Sequence, residues 1–170
     1  DRATIGQSRT RQTILNIMQQ YNVPVLDVHT PMPPGALQLL HADATDDNPA
    51  DTNFPYRKLL GCVGWCAITA EPFGSFPACA IAQHAHHPTK SRAFVLQWTA
   101  SWIATHSRPT VYTRANDGML VKTFADASWG NNEGWSTFYG DAQQMCNALI
   151  SWRAYSGRRV HSSTRDAELH

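Results

Sequence analysis

Apolar residues recur at helical spacing up to Pro109 and at alternating spacing after it. From Gln7 to Tyr21, the positions Ile14, Ile17, Met18 and Tyr21 follow the i, i+3, i+4, i+7 pattern of one helix face, and Pro24 lies just beyond. Thr30-Pro31-Met32-Pro33-Pro34-Gly35 breaks all regular structure. His41 to Phe54 is polar and rich in Asp, Asn and Ala, and reads as a long surface loop or arm. Tyr56, Leu59, Leu60, Val63, Cys66 and Ala67 form the best helical stripe, which Glu71-Pro72-Phe73-Gly74 ends. A short helix is expected over Pro77 to His84. A further helix opens at Pro88-Thr89, with Thr89 as its cap and Phe94, Val95, Trp98, Trp102 and Ile103 as its buried side.

Beyond Pro109 the spacing predicts strands at Thr110 to Thr113, Met119 to Asp126, Trp135 to Tyr139 and Ala148 to Arg153. Asn116-Asp117-Gly118 is a hairpin turn signal, and Gly130-Asn131-Asn132 and Gly157 offer further turns. Arg158 to Ser162 reads as a last short strand. Ser163-Thr164-Arg165-Asp166 then matches a capping box with Asp in place of Glu, which places a helix start there. The chain therefore divides into a helical region at 1–108, with its loop at about 41–54, and a hairpin-rich sheet at 109–170 that ends at a helix.

With 170 residues, 42% of them hydrophobic, the chain can bury a core. A formal net charge of +1 supplies no global basic field, so any nucleic-acid affinity must come from local clusters. Arg153, Arg158, Arg159 and Arg165 form one such cluster, and Arg2, Arg9 and Arg11 another. The spacing of Cys62, Cys66, Cys79 and Cys146 shows no secreted disulfide framework, which fits an intracellular, reducing compartment. No apolar run approaches the ~20 residues that span a bilayer. A start at Asp1, without Met, is expected of a processed or trimmed product.

The candidate chemistry lies in two carboxylates. Asp126, in Phe124-Ala125-Asp126-Ala127-Ser128-Trp129-Gly130, is expected at a strand end. Glu168, in Arg165-Asp166-Ala167-Glu168, is expected on the first turn of the closing helix. Packed together, they could share Mg2+, a hard cation that favours carboxylate and water oxygens. A two-metal phosphodiester site takes about four acidic ligands, so the pair makes half a site. The alternative is a strand-end Asp and a solvated helix Glu. His84, His86 and His87 cluster without a matching zinc-ligand pattern and are expected to be surface imidazoles, while His29, His41 and His106 are scattered.

In order along the chain, these residues resemble the C-terminal part of the reverse transcriptase of copia-type LTR retrotransposons, running into its linked RNase H. Thr30-Pro31-Met32 matches the family's Thr-Pro-Met signature, and Phe54-Pro55-Tyr56-Arg57-Lys58-Leu59-Leu60-Gly61 is similar to its Tyr-Arg-x-Leu-x-Gly helix. Ala125-Asp126-Ala127-Ser128-Trp129 resembles Ser-Asp-Ala-Asp-Trp, and Ile150-Ser151-Trp152-Arg153 resembles Ile-Ser-Trp-Lys. Ser162-Ser163-Thr164 with Ala167-Glu168 resembles Ser-Ser-Thr-Glu-Ala-Glu.

The resemblance implies an α+β fold: a helical thumb- or connection-like half, then an incomplete RNase H-like mixed sheet with the start of its first helix. It implies Asp126 and Glu168 as catalytic metal ligands, Mg2+ as cofactor, and an RNA–DNA hybrid or the rest of a Pol polyprotein as partner. The chain departs from the family where Ser128 replaces an Asp, where one residue is inserted before Ala167, and where Glu71-Pro72-Phe73 stands for Arg-Pro-Asp. The polymerase Asp-Asp turn would lie before Asp1, and the remaining RNase H acids after His170. Two expectations follow: a polyprotein fragment inactive by itself, or a domesticated remnant serving as a non-catalytic subunit of a larger protein assembly.

Overall fold

The computed structural model describes residues 2–42, 48–106, 110–113, 121–128, 137–145 and 148–157. The chain is mixed α+β and falls into two compact units. One is helical, Gly6–Pro109; the other joins Asp1–Ile5 to Thr110–His170 and carries the sheets.

In the helical unit, α1 (Ser8–Gln20) buries Ile14 and Met18, two of the four residues of its sequence stripe. It stops in a Schellman motif: the Val23 N–H donates to Met18 O and the Asn22 N–H to Gln19 O. Asn22 adopts φ 53, a left-handed geometry that Asn tolerates better than most residues. α2 (Ala36–His41) follows Gly35, itself at φ 68. This helix of six residues carries too little periodicity to stand out from the proline-rich run before it. α3 (Tyr56–Thr69) buries Tyr56, Leu59, Val63, Cys66 and Ala67. A 3-10 turn (Pro72–Gly74) leads into α4 (Ser75–Ala82).

α5 (Lys90–His106) is the centre of this unit and packs on all four other helices. Its start is capped as the sequence predicts: Thr89 Oγ1 accepts from the Arg92 N–H at 3.3 Å. Its buried side is not the aromatic one. Val95 and Ile103 are buried, but so are Leu96, Thr99, Ala100, Ser101 and Ala104, whereas Phe94 is exposed and Trp98 and Trp102 are only half-buried. A helix surrounded by neighbours takes small and medium side chains at close approach, and the large aromatics move to its rim. There Trp98 Nε1 donates to Thr30 O at 2.8 Å. Thr99 Oγ1 donates to Pro31 O, Gln97 Nε2 donates to Pro24 O, and Ser101 Oγ accepts from the Leu26 N–H. These bonds satisfy an irregular segment that has no ladder of its own.

In the sheet unit, β1 (Arg2–Ile5) pairs antiparallel with β2 (Thr110–Thr113), Ile5 opposite Thr110. The hairpin signalled by Asn116-Asp117-Gly118 would pair β2 with the strand that follows it; among the described residues that pairing is not seen. β3 (Val121–Ser128) pairs over its whole length with β4 (Phe138–Met145). β5 (Ala148–Ser156) closes the order β3-β4-β5, with a bulge between Gln143 and Gln144. β4 runs well past the expected Tyr139. Gly140, Asp141, Gln143 and Gln144 are poor strand formers, and they are held extended by a partner on each side. Residues 114–120 and 129–136, with the two expected turns in them, and the stretch from Arg158 with the expected last strand and capping box, lie outside the described residues.

Candidate functional site

Asp126 lies on β3, two residues before its end, directly opposite Gly140 and one strand further from Ala154. Its carboxylate is exposed, and Oδ1 accepts from the Ala127 N–H at 2.9 Å. Cross-strand partners share a sheet face, so the neighbours of Asp126 on its own face are a glycine and an alanine. A Cβ at Gly140 would meet nothing within 4 Å, so the floor beside the carboxylate is open. The second expected ligand, Glu168, lies outside the described residues, as do Arg158, Arg159 and Arg165. Among the described residues, no three His, Cys, Asp or Glu side chains come together to hold a metal ion. Mg2+ takes six ligands in near-octahedral geometry. One carboxylate with open space beside it does not make that site, so the described residues alone do not fit the ion.

The opposite face carries the denser polar arrangement. Asp141, opposite Ala125, forms an ion pair with the Nε of Arg153 across the β4–β5 ladder. The carboxylate is 18% exposed and the guanidinium 68%. The hydrogen bond and charge of Asp141 push the Arg153 pKa further up. Arg153 Cζ also lies 5.0 Å from the centroid of the Tyr155 ring, which stacks on Tyr139 at 5.1 Å. Tyr139 is fixed in turn from below, because a Cβ on Gly157 would come within 2.8 Å of its ring. Ala125 and Ala127 floor a shallow hollow of about 390 Å³ beside this row. Of the four arginines expected to hold phosphates, Arg153 is thus solvent-facing, with Asp141 beside it as a counter-charge.

In the helical unit, Arg11 Nη2 donates to Ala104 O at 2.8 Å and ties α1 to α5. A polar cluster that sequence reasoning missed lies where α2, α4 and α5 meet. Arg92 is 7% exposed. It donates from Nε to Leu40 O at 2.9 Å and from Nη1 to His87 O at 2.7 Å. These are carbonyl partners, one of them at the negative end of a helix. The His84 ring sits edge-on against His41 at 5.0 Å. Burial lowers its pKa to about 4, helped by the nearby charge of Arg92 and by His41 and His86. His84 is therefore not the surface imidazole its sequence context suggests, and His41 is not isolated. The signal was a pair of histidines far apart in sequence, which no local pattern connects. His29 and His106 are likewise in edge contact, at 6.1 Å.

Burial also pushes the Tyr56 phenol up to about 12, with Arg92 opposing, and its Oη has no hydrogen-bond partner among the described residues. The thiols of Cys62 and Cys66 are free. No helix among the described residues is long and apolar enough to cross a membrane. Comparison with protein-family models, with characterised proteins and with solved structures finds no match.

Proposed function

We propose that this chain is a fragment of a copia-type retroelement reverse transcriptase/RNase H. In its intact form it would hold an RNA–DNA hybrid and hydrolyse the RNA strand by metal-assisted catalysis. By itself it neither polymerises nor cleaves. The observation that carries the reading is an order of parts: an antiparallel three-strand meander with Asp126 on its first strand beside an open floor, then a chain that continues to Glu168. That order is the one the family resemblance implies.

The test is retention and cleavage of a labelled RNA–DNA hybrid with Mg2+ at two salt concentrations. The expected result is salt-sensitive binding without cutting. If four arginines each neutralise one phosphate, affinity falls about a hundredfold between about 50 and 200 mM salt. In the intact enzyme, cutting that survives Asp126→Asn would remove Asp126 from the chemistry. Failure to bind hybrid even at the lower salt would remove the nucleic-acid role.

A second reading, a domesticated remnant acting as a structural subunit, is favoured by the exposed apolar side chains. Trp65, Ile68 and Phe73 in the helical unit and Val121, Phe124 and Ile150 in the sheet unit all face solvent. Stoichiometric recovery with protein subunits, and indifference to hybrid, is its expected signature.

A further inference from the structure

The outer face of α3 is a self-complementary surface, and we infer that two copies of this chain associate through it, antiparallel. On a helix, Arg57, Gly61, Gly64, Trp65 and Ile68 fall within one stripe. It lies opposite the buried residues Leu59, Val63 and Cys66. Trp65 is 53% exposed, Ile68 64%, and Phe73, on the 3-10 turn that folds back on α3, 71%. That turn is fixed to the helix: Ser75 Oγ donates to Ala67 O, and a Cβ on Gly74 would sit 3.5 Å from the Ala67 side chain. The apolar residues therefore gather around the C-terminal end of α3. At its middle the surface is notched, because a Cβ at Gly61 or Gly64 would meet nothing within 4 Å.

Three features select a second copy as the occupant. The first is shape. An antiparallel pair centred near Val63 places Trp65 of each copy over Gly61 of the other, a knob and a notch related by one twofold axis. The second is charge. α3 has Arg57 and Lys58 in its first turn, the wrong end for its own dipole, and no basic residue in its last turn. Lys58 is engaged with Tyr21, whose Oη lies 2.6 Å from its Nζ. Arg57 makes no hydrogen bond or ion pair among the described residues. The antiparallel arrangement carries each Arg57 to the C-terminal turn of the other α3, where a cation is favoured. The third is area. Trp65, Ile68, Phe73 and the partly exposed Phe76 offer on the order of 400 Å² of apolar surface per copy. With the flanking glycines and the Arg57 stem, the area available for burial approaches about 1,000 Å², the lower end for a specific contact, so a weak, concentration-dependent dimer is expected. This inference does not rest on the first functional reading; it takes Trp65, Ile68 and Phe73, which also favour the second, as a contact between copies.

Analytical ultracentrifugation of the chain between about 2 and 200 µM tests it. The expected mass rises from 18.9 kDa toward twice that value with concentration. Gly61→Gln fills the notch, starting from a Cβ that meets nothing within 4 Å in the single copy, and it replaces a poor helix former with a better one. It should weaken association at least about tenfold while the melting temperature holds or rises. Trp65→Ala, at an exposed position, should weaken it similarly, and Arg57→Glu less. A chain that stays single at every concentration overturns the inference, and so does a dimer indifferent to Gly61→Gln. Loss of hybrid binding in Gly61→Gln, with the mass unchanged, would assign the face to nucleic acid instead and equally overturn it.

Discussion

Lowering the pH should loosen the helical unit at the seam between α2 and α5, through His84. In the folded chain its imidazole titrates near 4, against an ordinary 6.5. Above the ordinary value, folded and unfolded chains both carry it neutral, and no stability is lost. Between 6.5 and 4 the unfolded chain takes up the proton and the folded chain does not, so the unfolded state gains. Below 4 both are protonated, and the loss stops growing. At about 1.4 kcal/mol per pH unit, the whole interval corresponds to about 3 kcal/mol. Solvent reaches part of the ring, which reduces this to roughly 1–2 kcal/mol.

Urea unfolding followed by far-UV circular dichroism reads this unit selectively, because every described α-helix lies within Gly6–Pro109. With a urea slope of about 1–3 kcal/mol per molar, the midpoint of the native chain should fall by about 0.5–1 M between about pH 7 and 4.5. That fall is counted beyond any seen in His84→Gln, whose amide does not titrate. Carboxylates elsewhere titrate in both chains and cancel in the comparison. Arg92→Gln should raise the His84 pKa, measured from imidazole NMR shifts, because it removes the neighbouring cation. Equal acid sensitivity in native and His84→Gln chains would refute the reasoning. A His84 pKa that stays put in Arg92→Gln would remove Arg92 as a cause.

Thr89→Ala removes the N-cap of α5 and should cost about 1 kcal/mol in urea unfolding of the helical unit. Gly157→Ala drives a methyl against the Tyr139 ring and should destabilise the sheet unit by about 1–3 kcal/mol, read as faster limited proteolysis after Tyr155. Tyr139→Ala in the same chain should relieve that clash. Burial, then the Cys62 thiol, raise Cys66 to about 11. Iodoacetamide near neutral pH should therefore modify Cys66 at least about tenfold more slowly than it does in urea-unfolded chain, by peptide mass spectrometry.

Long helices with one buried face were legible in the sequence, and elements that depend on distant partners were not. Tyr56, Leu59, Val63, Cys66 and Ala67 formed a readable stripe because α3 has one buried side and one open side. α5 is packed from several directions, so hydrophobicity does not mark its core face, and its tryptophans pointed to the wrong one. β1 is four residues long and finds its partner across more than a hundred positions, so nothing local announces it. Within the candidate site, Asp126 falls on a strand as its context suggests. The open floor beside it is set by Gly140 and Ala154, which register brings alongside and spacing alone does not reveal. The seam of Arg92, His84 and His41 was invisible for the same reason: three elements contribute one polar group each.

The pairing of β1 with β2 has a consequence for how the chain is made. Arg2–Ile5 is synthesised before the helical unit, and its complement, Thr110–Thr113, only after it. At about 5–20 residues per second, the nascent strand waits on the order of ten seconds without a hydrogen-bonding partner. The intervening helices make mostly shorter-range contacts and can condense during that delay. A strand made before the helical unit is thus secured only after it, and a chaperone that shields extended segments would act on it in that interval.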